Sequence, residues 1–213
     1  MKMSSLKFTA GRALLVILLI VVFPAASLAD ARPGKAAIAS QHFLATEAGH
    51  EVIEQGGNAF DAAIAVAAVL AVVEPTSSGL GGGGFWLLHR AEDGFETMVD
   101  SRETAPAAAH RDMYLDENGE FNRDLAVNGP LAGGIPGTVA GMEHIAKNYG
   151  RLPLSVSLQP AIRIAREGFA LDEKFVTLLK WRFDVIKRWP AASEAYLVDG
   201  EMPDVGHVVR LPD

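Results

Sequence analysis

The stretch that decides the fold covers residues 56–102 and reads GGNAFDAAIAVAAVLAVVEPTSSGLGGGGFWLLHRAEDGFETMVDSR. Asn58 is a favourable helix N-cap, and Asp61, three residues later, lies near the positive end of the helix dipole. Apart from Asp61, residues 59–73 carry no charge, and apolar side chains cover every face of the helix that they would form. The sequence therefore predicts a helix that is buried all round and too short to span a bilayer, for which ~20 apolar residues are needed.

The predicted helix ends at Glu74, because the residue before Pro75 is pushed out of the α-helical conformation. A glycine cluster follows, and from Gly79 to Gly84 it matches the dinucleotide-binding pattern G-x-G-x-x-G. That pattern requires a strand before the glycines and a helix after them. Here the order is reversed, so we expect instead that the glycines let the backbone pack closely against other backbone or against a substrate.

Two β-like runs, residues 85–90 and 95–101, predict a hairpin around a short loop. The second run delivers Arg102 at its end, close to the glycine cluster, and such positions often carry ligand-binding groups. An arginine suits a carboxylate because its planar guanidinium binds both oxygens. The same pattern also fits a structural ion pair between Arg102 and Asp100 or Glu103, and spacing alone does not decide between the two roles.

Four segments, taken together and in this order, resemble the γ-glutamyltranspeptidase (glutathione hydrolase) family. They are GGNAFDAA at residues 56–63, GLGGGGF at 79–85, DSRETAP at 100–106 and GIPGTVAG at 134–141. The resemblance extends from about residue 36 to residue 213. In that family the arginine of the Arg-Glu-x-Ala-Pro segment holds the α-carboxylate of the γ-glutamyl substrate, so the resemblance implies that Arg102 binds substrate.

The resemblance also implies a fold and a reaction. Family members are N-terminal nucleophile hydrolases with an α+β sandwich of the αββα type, which would be incomplete in this chain, with the helix from Ala59 packed on a sheet. Their precursor cuts itself, and the new N-terminal threonine attacks the amide of a γ-glutamyl compound such as glutathione to form an acyl-enzyme. The acyl group then passes to water or to an amino-acid acceptor. Neither a metal nor a cofactor is implied.

The nucleophile of that reaction is expected to lie outside this chain. The family's threonine stands in a Thr-Thr-His-aromatic-Ser context, and no threonine of this sequence has such neighbours. No Ser-His-Asp arrangement is indicated either. We therefore expect residues 30–213 to be the N-terminal portion of the large subunit. They would contain no catalytic residue and would be inactive without the small subunit cleaved from the same precursor.

Two other functions remain open from the sequence. A related N-terminal nucleophile acylase or amidohydrolase would share the fold, but it would have less need of the Arg102 segment if its substrate had no α-amino-acid group. A non-catalytic exported binding module would be consistent with the missing threonine.

Residues 1–29 are typical of a secretory signal peptide. Three basic residues precede an apolar run at residues 13–22, and the motif Ser-Leu-Ala favours cleavage before Asp30. An uncleaved membrane anchor is the less favoured alternative, because the charge-free run after Arg12 is short and is broken by Pro24. We therefore expect export to the periplasm or the medium.

The net charge of the chain is −7, and loss of the leader, which has three basic and no acidic residues, would change it to −10. A domain this acidic is a poor candidate for binding nucleic acid. The absence of cysteine excludes disulfides, thiolate metal sites and a cysteine nucleophile. The acidic residues between positions 112 and 120 lack the spacing of a calcium loop. His42 and His50 have no partner at a metal-site spacing, so no metal is predicted.

The other segments predict mainly helices. A short strand at residues 36–40 is expected to precede a helix at 43–55. Later helices are predicted at residues 111–114, 138–149, 153–167 and 172–189, and a strand is predicted at 207–211.

Overall fold

The structure is a computed structural model that describes residues 36–212; the predicted signal peptide lies outside the described residues, as does residue 213. All helices and strands of the described chain fall within one unit, which begins at Ile38. In chain order they are α1 (Phe43–Glu54), α2 (Ala59–Val73), β1 (Phe85–Arg90), β2 (Phe95–Asp100), α3 (Arg123–Val127), a 3-10 turn (Pro130–Ala132), α4 (Thr138–Tyr149), α5 (Leu154–Ser157), α6 (Gln159–Glu167), β3 (Phe169–Ala170), α7 (Glu173–Ile186), α8 (Pro190–Tyr196) and β4 (Val208–Val209).

Helix α2 begins at the N-cap that the sequence predicts. The Asn58 side-chain oxygen accepts from the backbone N–H groups of Phe60, at 2.9 Å, and Asp61, at 3.1 Å. The Asp61 carboxylate accepts in return from the Asn58 backbone N–H at 2.9 Å, which completes a capping box. The Asn58 amide also donates to the carbonyl of Tyr149 at the end of α4, so the start of α2 is joined directly to a helix far along the chain.

Helix α2 is the centre of the packing, since it contacts α1, α4, α5 and α6. Ile64 and Val69 are among its fully buried side chains, and Leu88 of β1 belongs to the same hydrophobic cluster. The prediction of burial on every face is wrong for one side, where Ala67 and Leu70 are only half-buried. That side lines a cleft beside the glycine-rich loop, and an apolar helix face that borders a cleft keeps some exposure.

The strands of the described chain form two separate two-stranded antiparallel sheets, β1–β2 and β3–β4. In the first sheet the register runs from Phe85 opposite Asp100 to Arg90 opposite Phe95. Successive side chains point to opposite faces, so Leu88 enters the core while Leu87 is exposed. The mixture of helices with antiparallel strands confirms the α+β class, and sheets this small agree with an incomplete αββα sandwich.

Several predicted elements differ in the structure. Residues 36–40 form no strand, because no described strand pairs with them, and residues 111–114 form turns instead of a helix. The strand predicted at 207–211 is reduced to Val208–Val209, since its partner β3 offers only two residues.

Two of the predicted helices, each near a proline, have different bounds in the structure. The segment 153–167 becomes α5 and α6, with Pro160 in the first turn of α6. The segment 172–189 ends as a helix at Ile186, and Pro190 begins α8. Trp189 is extended, as expected for the residue before a proline. Among residues 36–212, none of the helices combines the length and the apolar character that a membrane crossing requires.

Candidate functional site

The candidate site is built around the segment that follows β2. Beyond the last strand residue, Ser101 and Gly84 exchange both backbone hydrogen bonds, at 3.0 and 3.2 Å, so the β1–β2 ladder continues into the glycine-rich loop. Arg102 comes next, and its backbone N–H donates to the Asp100 carboxylate at 3.0 Å. The chain therefore leaves the sheet at Arg102 with its backbone direction fixed by hydrogen bonds on both sides of Ser101.

Two glycines that are far apart in the sequence, Gly83 and Gly137, pack closely against the backbone of this segment. A Cβ atom at Gly83 would lie 2.5 Å from the Ser101 carbonyl oxygen and 2.7 Å from the Arg102 Cα. A Cβ atom at Gly137 would lie 2.8 Å from the Arg102 carbonyl oxygen. Any side chain at either position would have to push the backbone of Arg102 away. The expectation of close backbone packing is confirmed at Gly83 but not at Gly81 and Gly84, where a Cβ atom would meet nothing within 4 Å. Gly137 of the GIPGTVAG segment packs closely from the other side.

The glycine-rich loop is held by the start of α4. The carbonyl oxygen of Gly82 accepts from the backbone N–H groups of Gly137 and Thr138, both at 3.1 Å, and from the Thr138 hydroxyl at 2.9 Å. Unpaired N–H groups at a helix N-terminus are ready donors, and here they bind a neighbouring loop. A bridge between Thr104 and Ile135 continues the contact, so three of the four sequence motifs meet at Arg102.

The Arg102 side chain is 60% exposed. Its Nε donates to Glu103 at 3.1 Å, and its guanidinium carbon lies 5.7 Å from the centre of the Phe85 ring. Of the two ion pairs left open by the sequence, the one with Glu103 forms, whereas Asp100 binds only the backbone N–H. Within the described chain, the two Nη groups of Arg102 have no side-chain hydrogen-bond partner. These two groups are available to a ligand.

The Glu103 carboxylate faces the glycine-rich loop, with Oε1 3.5 Å from the position that a Cβ of Gly82 would occupy. Hydrogen bonds lower the pKa of Glu103, first from its own backbone N–H, then from Arg102, with a smaller contribution from the N–H of Gly83. Glu103 is therefore charged at neutral pH and holds Arg102 by one edge of the guanidinium.

Two clefts adjoin this segment. One, of about 640 Å³, is lined by the glycine-rich loop, Trp86, Ser101, Glu103 and Thr138. Arg102 does not line it. Arg102 lines instead a neighbouring cleft of about 410 Å³ between β2 and α4, together with His144 and Tyr149. Ser101 lines both clefts, whereas Glu103 lines only the first and Arg102 only the second.

Other sites considered from the sequence find no support in the geometry. A helix precedes the glycine cluster and a strand follows it, which is the opposite of a dinucleotide-binding loop. In the acidic segment, Asp116 accepts from the backbone N–H groups of Asn118 and Glu120, and these bonds lower its pKa. His42 caps α1 through a hydrogen bond from the Leu44 N–H. Among residues 36–212, no three His, Asp or Glu side chains cluster closely enough to hold a metal ion.

Sequence reasoning missed the groups that position Arg102. Ser101 is buried, and its hydroxyl joins Trp86 to Gly84; Thr138 binds Gly82 across 56 positions. A single serine or threonine has no distinctive local pattern that marks such a role. The one available signal was the position of these residues inside the motifs, since Ser101 lies in DSRETAP and Thr138 lies in GIPGTVAG.

Comparison with known proteins gives a consistent result. A sequence model of the family described as gamma-glutamyltranspeptidase matches residues 45–213. Over 143 residues the chain is 44% identical to the glutathione hydrolase proenzyme of Escherichia coli (strain K12), an alignment that covers 67% of this chain and 24% of that relative. The proenzyme of the same name from Bacillus subtilis (strain 168) is 38% identical over 165 residues, covering 77% of this chain and 28% of the relative.

Among solved structures, the γ-glutamyltranspeptidase of Helicobacter pylori superposes with a TM-score of 0.78 at 37% sequence identity. The superposition covers 84% of this chain and 52% of that one. The chain thus spans about a quarter of the length of the two curated relatives and about half of the matching solved chain.

Proposed function

We propose a function from the premise that this chain belongs to the γ-glutamyltranspeptidase family. In the complete protein, these residues form the part of the enzyme that binds the α-carboxylate of a γ-glutamyl substrate through Arg102. The observation that carries the proposal is the state of Arg102 itself. Its backbone is fixed between glycines, one edge of its guanidinium is held by Glu103, and its two Nη groups have no side-chain hydrogen-bond partner among residues 36–212.

The reaction of the complete protein is proposed to be γ-glutamyl hydrolysis and transfer, with glutathione and related small γ-glutamyl compounds as substrates. An N-terminal threonine outside this chain would attack the γ-amide carbonyl, its proton passing to an amine base. The C–N bond would break as an ester to the threonine oxygen forms, and the leaving amine would take up the proton. Water or the amine of an amino acid would then release the γ-glutamyl group.

The electrostatics of the segment suit this role. A carboxylate placed against the two Nη groups would receive two parallel charge-assisted hydrogen bonds, the strongest common arrangement for this pair of groups. Phe85 supports one face of the guanidinium, and Glu103 neutralises only the Nε edge. When the missing part of the protein covers the site, exclusion of water would strengthen the interaction.

The small subunit and the export of the protein are further parts of the proposal. The bacterial relatives named above are proenzymes, which supports self-cleavage of a precursor into this subunit and a small subunit. The charge and apolar pattern of residues 1–29 supports secretion to the periplasm or the medium. N-terminal sequencing of the exported protein should begin at Asp30 or within one or two residues, and an intact Met1 in the membrane fraction would contradict cleavage.

The related acylase remains the second candidate. It is less well supported, because the DSRETAP segment is retained and an enzyme whose substrate lacks an α-carboxylate has no use for an exposed arginine there. A substrate panel separates the two candidates: γ-glutamyl anilides favour the first, and aliphatic acyl amides favour the second.

The test of the proposed function uses the complete polypeptide that contains this chain. After self-cleavage it should release p-nitroaniline from γ-glutamyl-p-nitroanilide, whereas residues 30–213 alone should release none, because the proposed threonine nucleophile lies outside them. Two bands of the processed subunits on a denaturing gel confirm cleavage. A fully processed protein without γ-glutamyl turnover would overturn the proposal, as would turnover by residues 30–213 that survives repurification.

A further inference from the structure

Ser101 is a buried polar residue whose hydroxyl is used twice. It donates to the carbonyl oxygen of Gly84 at 2.9 Å and accepts from the indole N–H of Trp86 at 3.0 Å. The Gly84 carbonyl also accepts from the Ser101 backbone N–H at 3.0 Å. One side chain therefore ties the glycine-rich loop, the first strand and the residue before Arg102 to one another.

Helix α4 closes one side of the space around this hydroxyl. A Cβ atom at Gly141 would lie 2.7 Å from the Ser101 Cβ, 2.9 Å from its hydroxyl oxygen and 3.0 Å from the Trp86 Nε1. Gly141 is itself buried, so the helix can approach only because it has no side chain there. Loss of the hydroxyl would remove the hydrogen-bond partner that the structure gives the indole N–H of Trp86.

We infer that Ser101 is a positioning residue for Arg102. Its hydroxyl contacts no ligand-binding group. It fixes the backbone from which Arg102 projects, so that one carboxylate can bind both Nη groups. The inference rests on the proposed function, and it adds that selectivity for substrates with an α-carboxylate depends on the Trp86–Ser101–Gly84 hydrogen bonds.

The inference can be tested by removing either partner of the Trp86–Ser101 hydrogen bond. Ser101→Ala removes the hydroxyl, and Trp86→Phe removes only its donor partner while keeping a large aromatic ring. Because both changes break the same hydrogen bond, the double variant should be little worse than the more damaging single variant. Ser155→Ala, on an exposed surface of α5, is the matched control.

The measurement is steady-state kinetics of the complete, self-cleaved enzyme on γ-glutamyl-p-nitroanilide and on the 4-aminobutyryl analogue, which lacks the α-carboxylate. For Ser101→Ala we expect KM for the γ-glutamyl substrate to rise about 3- to 10-fold with kcat little changed, since both hydrogen bonds of the hydroxyl are lost and Arg102 is positioned less firmly. For the analogue, KM should change less than about twofold. Trp86→Phe should show the same pattern, and Ser155→Ala should match the wild type.

The outcomes separate the inference from the function on which it rests. Wild-type enzyme that is inactive on the γ-glutamyl substrate would contradict the proposed function and the inference together. With an active wild type, unchanged KM in Ser101→Ala, equal losses on both substrates, or additive effects in the double variant would each overturn the positioning role alone. If Ser101→Ala fails to self-cleave, Trp86→Phe still tests the positioning role. The change in its KM for the γ-glutamyl substrate is then compared with the change in its KM for the analogue.

Discussion

Lys174 donates to both carboxylate oxygens of Glu74, at 3.0 Å each, although the two residues are 100 positions apart. Glu74 caps the end of α2, and its side chain is only 7% exposed. Its backbone carbonyl also accepts from the N–H groups of Ser77 and Ser78. The pair therefore joins α7 to the point where the chain leaves α2 for the glycine-rich loop.

Replacing Lys174 with methionine should destabilise the protein, because Glu74 would keep a buried charge without its partner. The cost should be about 1–3 kcal/mol, below the ~3–5 kcal/mol of a fully buried pair because the Lys174 side chain is 43% exposed and screened by solvent. Urea denaturation measures the change. Lys180→Met, on the same helix and without an ion pair among the described residues, is the control. Adding Glu74→Gln to Lys174→Met should recover part of the loss, and no recovery would show that the charge of Glu74 is not the cause.

The Asp61 carboxylate supports a second prediction. It is fully buried, and one of its oxygens accepts from the backbone N–H groups of Asn58 and Arg151, each at 2.9 Å. In Asp61→Asn the remaining carbonyl oxygen can still accept from these two donors, but the carboxylate charge is lost and the NH2 group replaces the oxygen that accepts from the Leu152 N–H at 3.4 Å. The free energy of unfolding should fall by about 1–3 kcal/mol. Asp184→Asn, at an exposed position of α7, should change it by less than ~0.5 kcal/mol. Equal effects of the two changes would contradict this account of Asp61.

The hairpin loop supplies a prediction on pH. Hydrogen bonds from Arg90, and then from the backbone N–H of Phe95, lower the pKa of Asp93 from 3.8 to about 2. A pKa lowered in the folded state means that the charged form stabilises the fold. This stabilisation is complete above pH 3.8 and is lost as the pH falls through about 2.

An NMR titration of the Asp93 side-chain carboxyl carbon should therefore have its midpoint near pH 2. In Arg90→Gln the midpoint should rise toward 3.8 but stay below it, because the Phe95 N–H still donates. A midpoint unchanged by the substitution would show that Arg90 is not the main cause of the shift.

Much of the local structure could be predicted from the sequence because its determinants are local. Asn58 and Asp61 mark the start of α2, Pro75 marks its end, and Gly94, at a positive φ of 70°, closes the hairpin turn between β1 and β2. Two of the wrong predictions, the helix at 172–189 and the strand at 207–211, extend an element past its real limit. The helix predicted at 172–189 includes Trp189, although Pro190 follows it.

The packing around Arg102 could not be predicted in this way. The contacts of Gly83 and Gly137 with the Arg102 backbone, and of Gly141 with Ser101, depend on how α4 lies against the hairpin. Glycine in a sequence indicates freedom of the backbone, but it does not say which atoms will approach. The resemblance identified Arg102 as a substrate-binding residue from its motif. Only the structure shows that Arg102 lines the cleft with His144 and Tyr149.

The central claim is that Arg102 binds the α-carboxylate of a γ-glutamyl substrate. Arg102→Ala removes the guanidinium, and Arg102→Lys keeps the charge but loses the planar arrangement of donors that matches a carboxylate. Loss of a desolvated bidentate pair costs ~2–5 kcal/mol. Arg111→Ala, which changes a 96% exposed arginine nearby in the sequence, is the control.

The most direct measurement is kcat/KM of these variants in the complete, self-cleaved enzyme, on γ-glutamyl-p-nitroanilide and on its 4-aminobutyryl analogue. We expect both Arg102 variants to lose at least ~10²-fold on the γ-glutamyl substrate and much less on the analogue, since each 1.4 kcal/mol is about tenfold. Arg111→Ala should behave as the wild type. Equal losses of kcat/KM on the two substrates would show that Arg102 has a structural role. Near-normal kcat/KM on the γ-glutamyl substrate would show that Arg102 does not bind it.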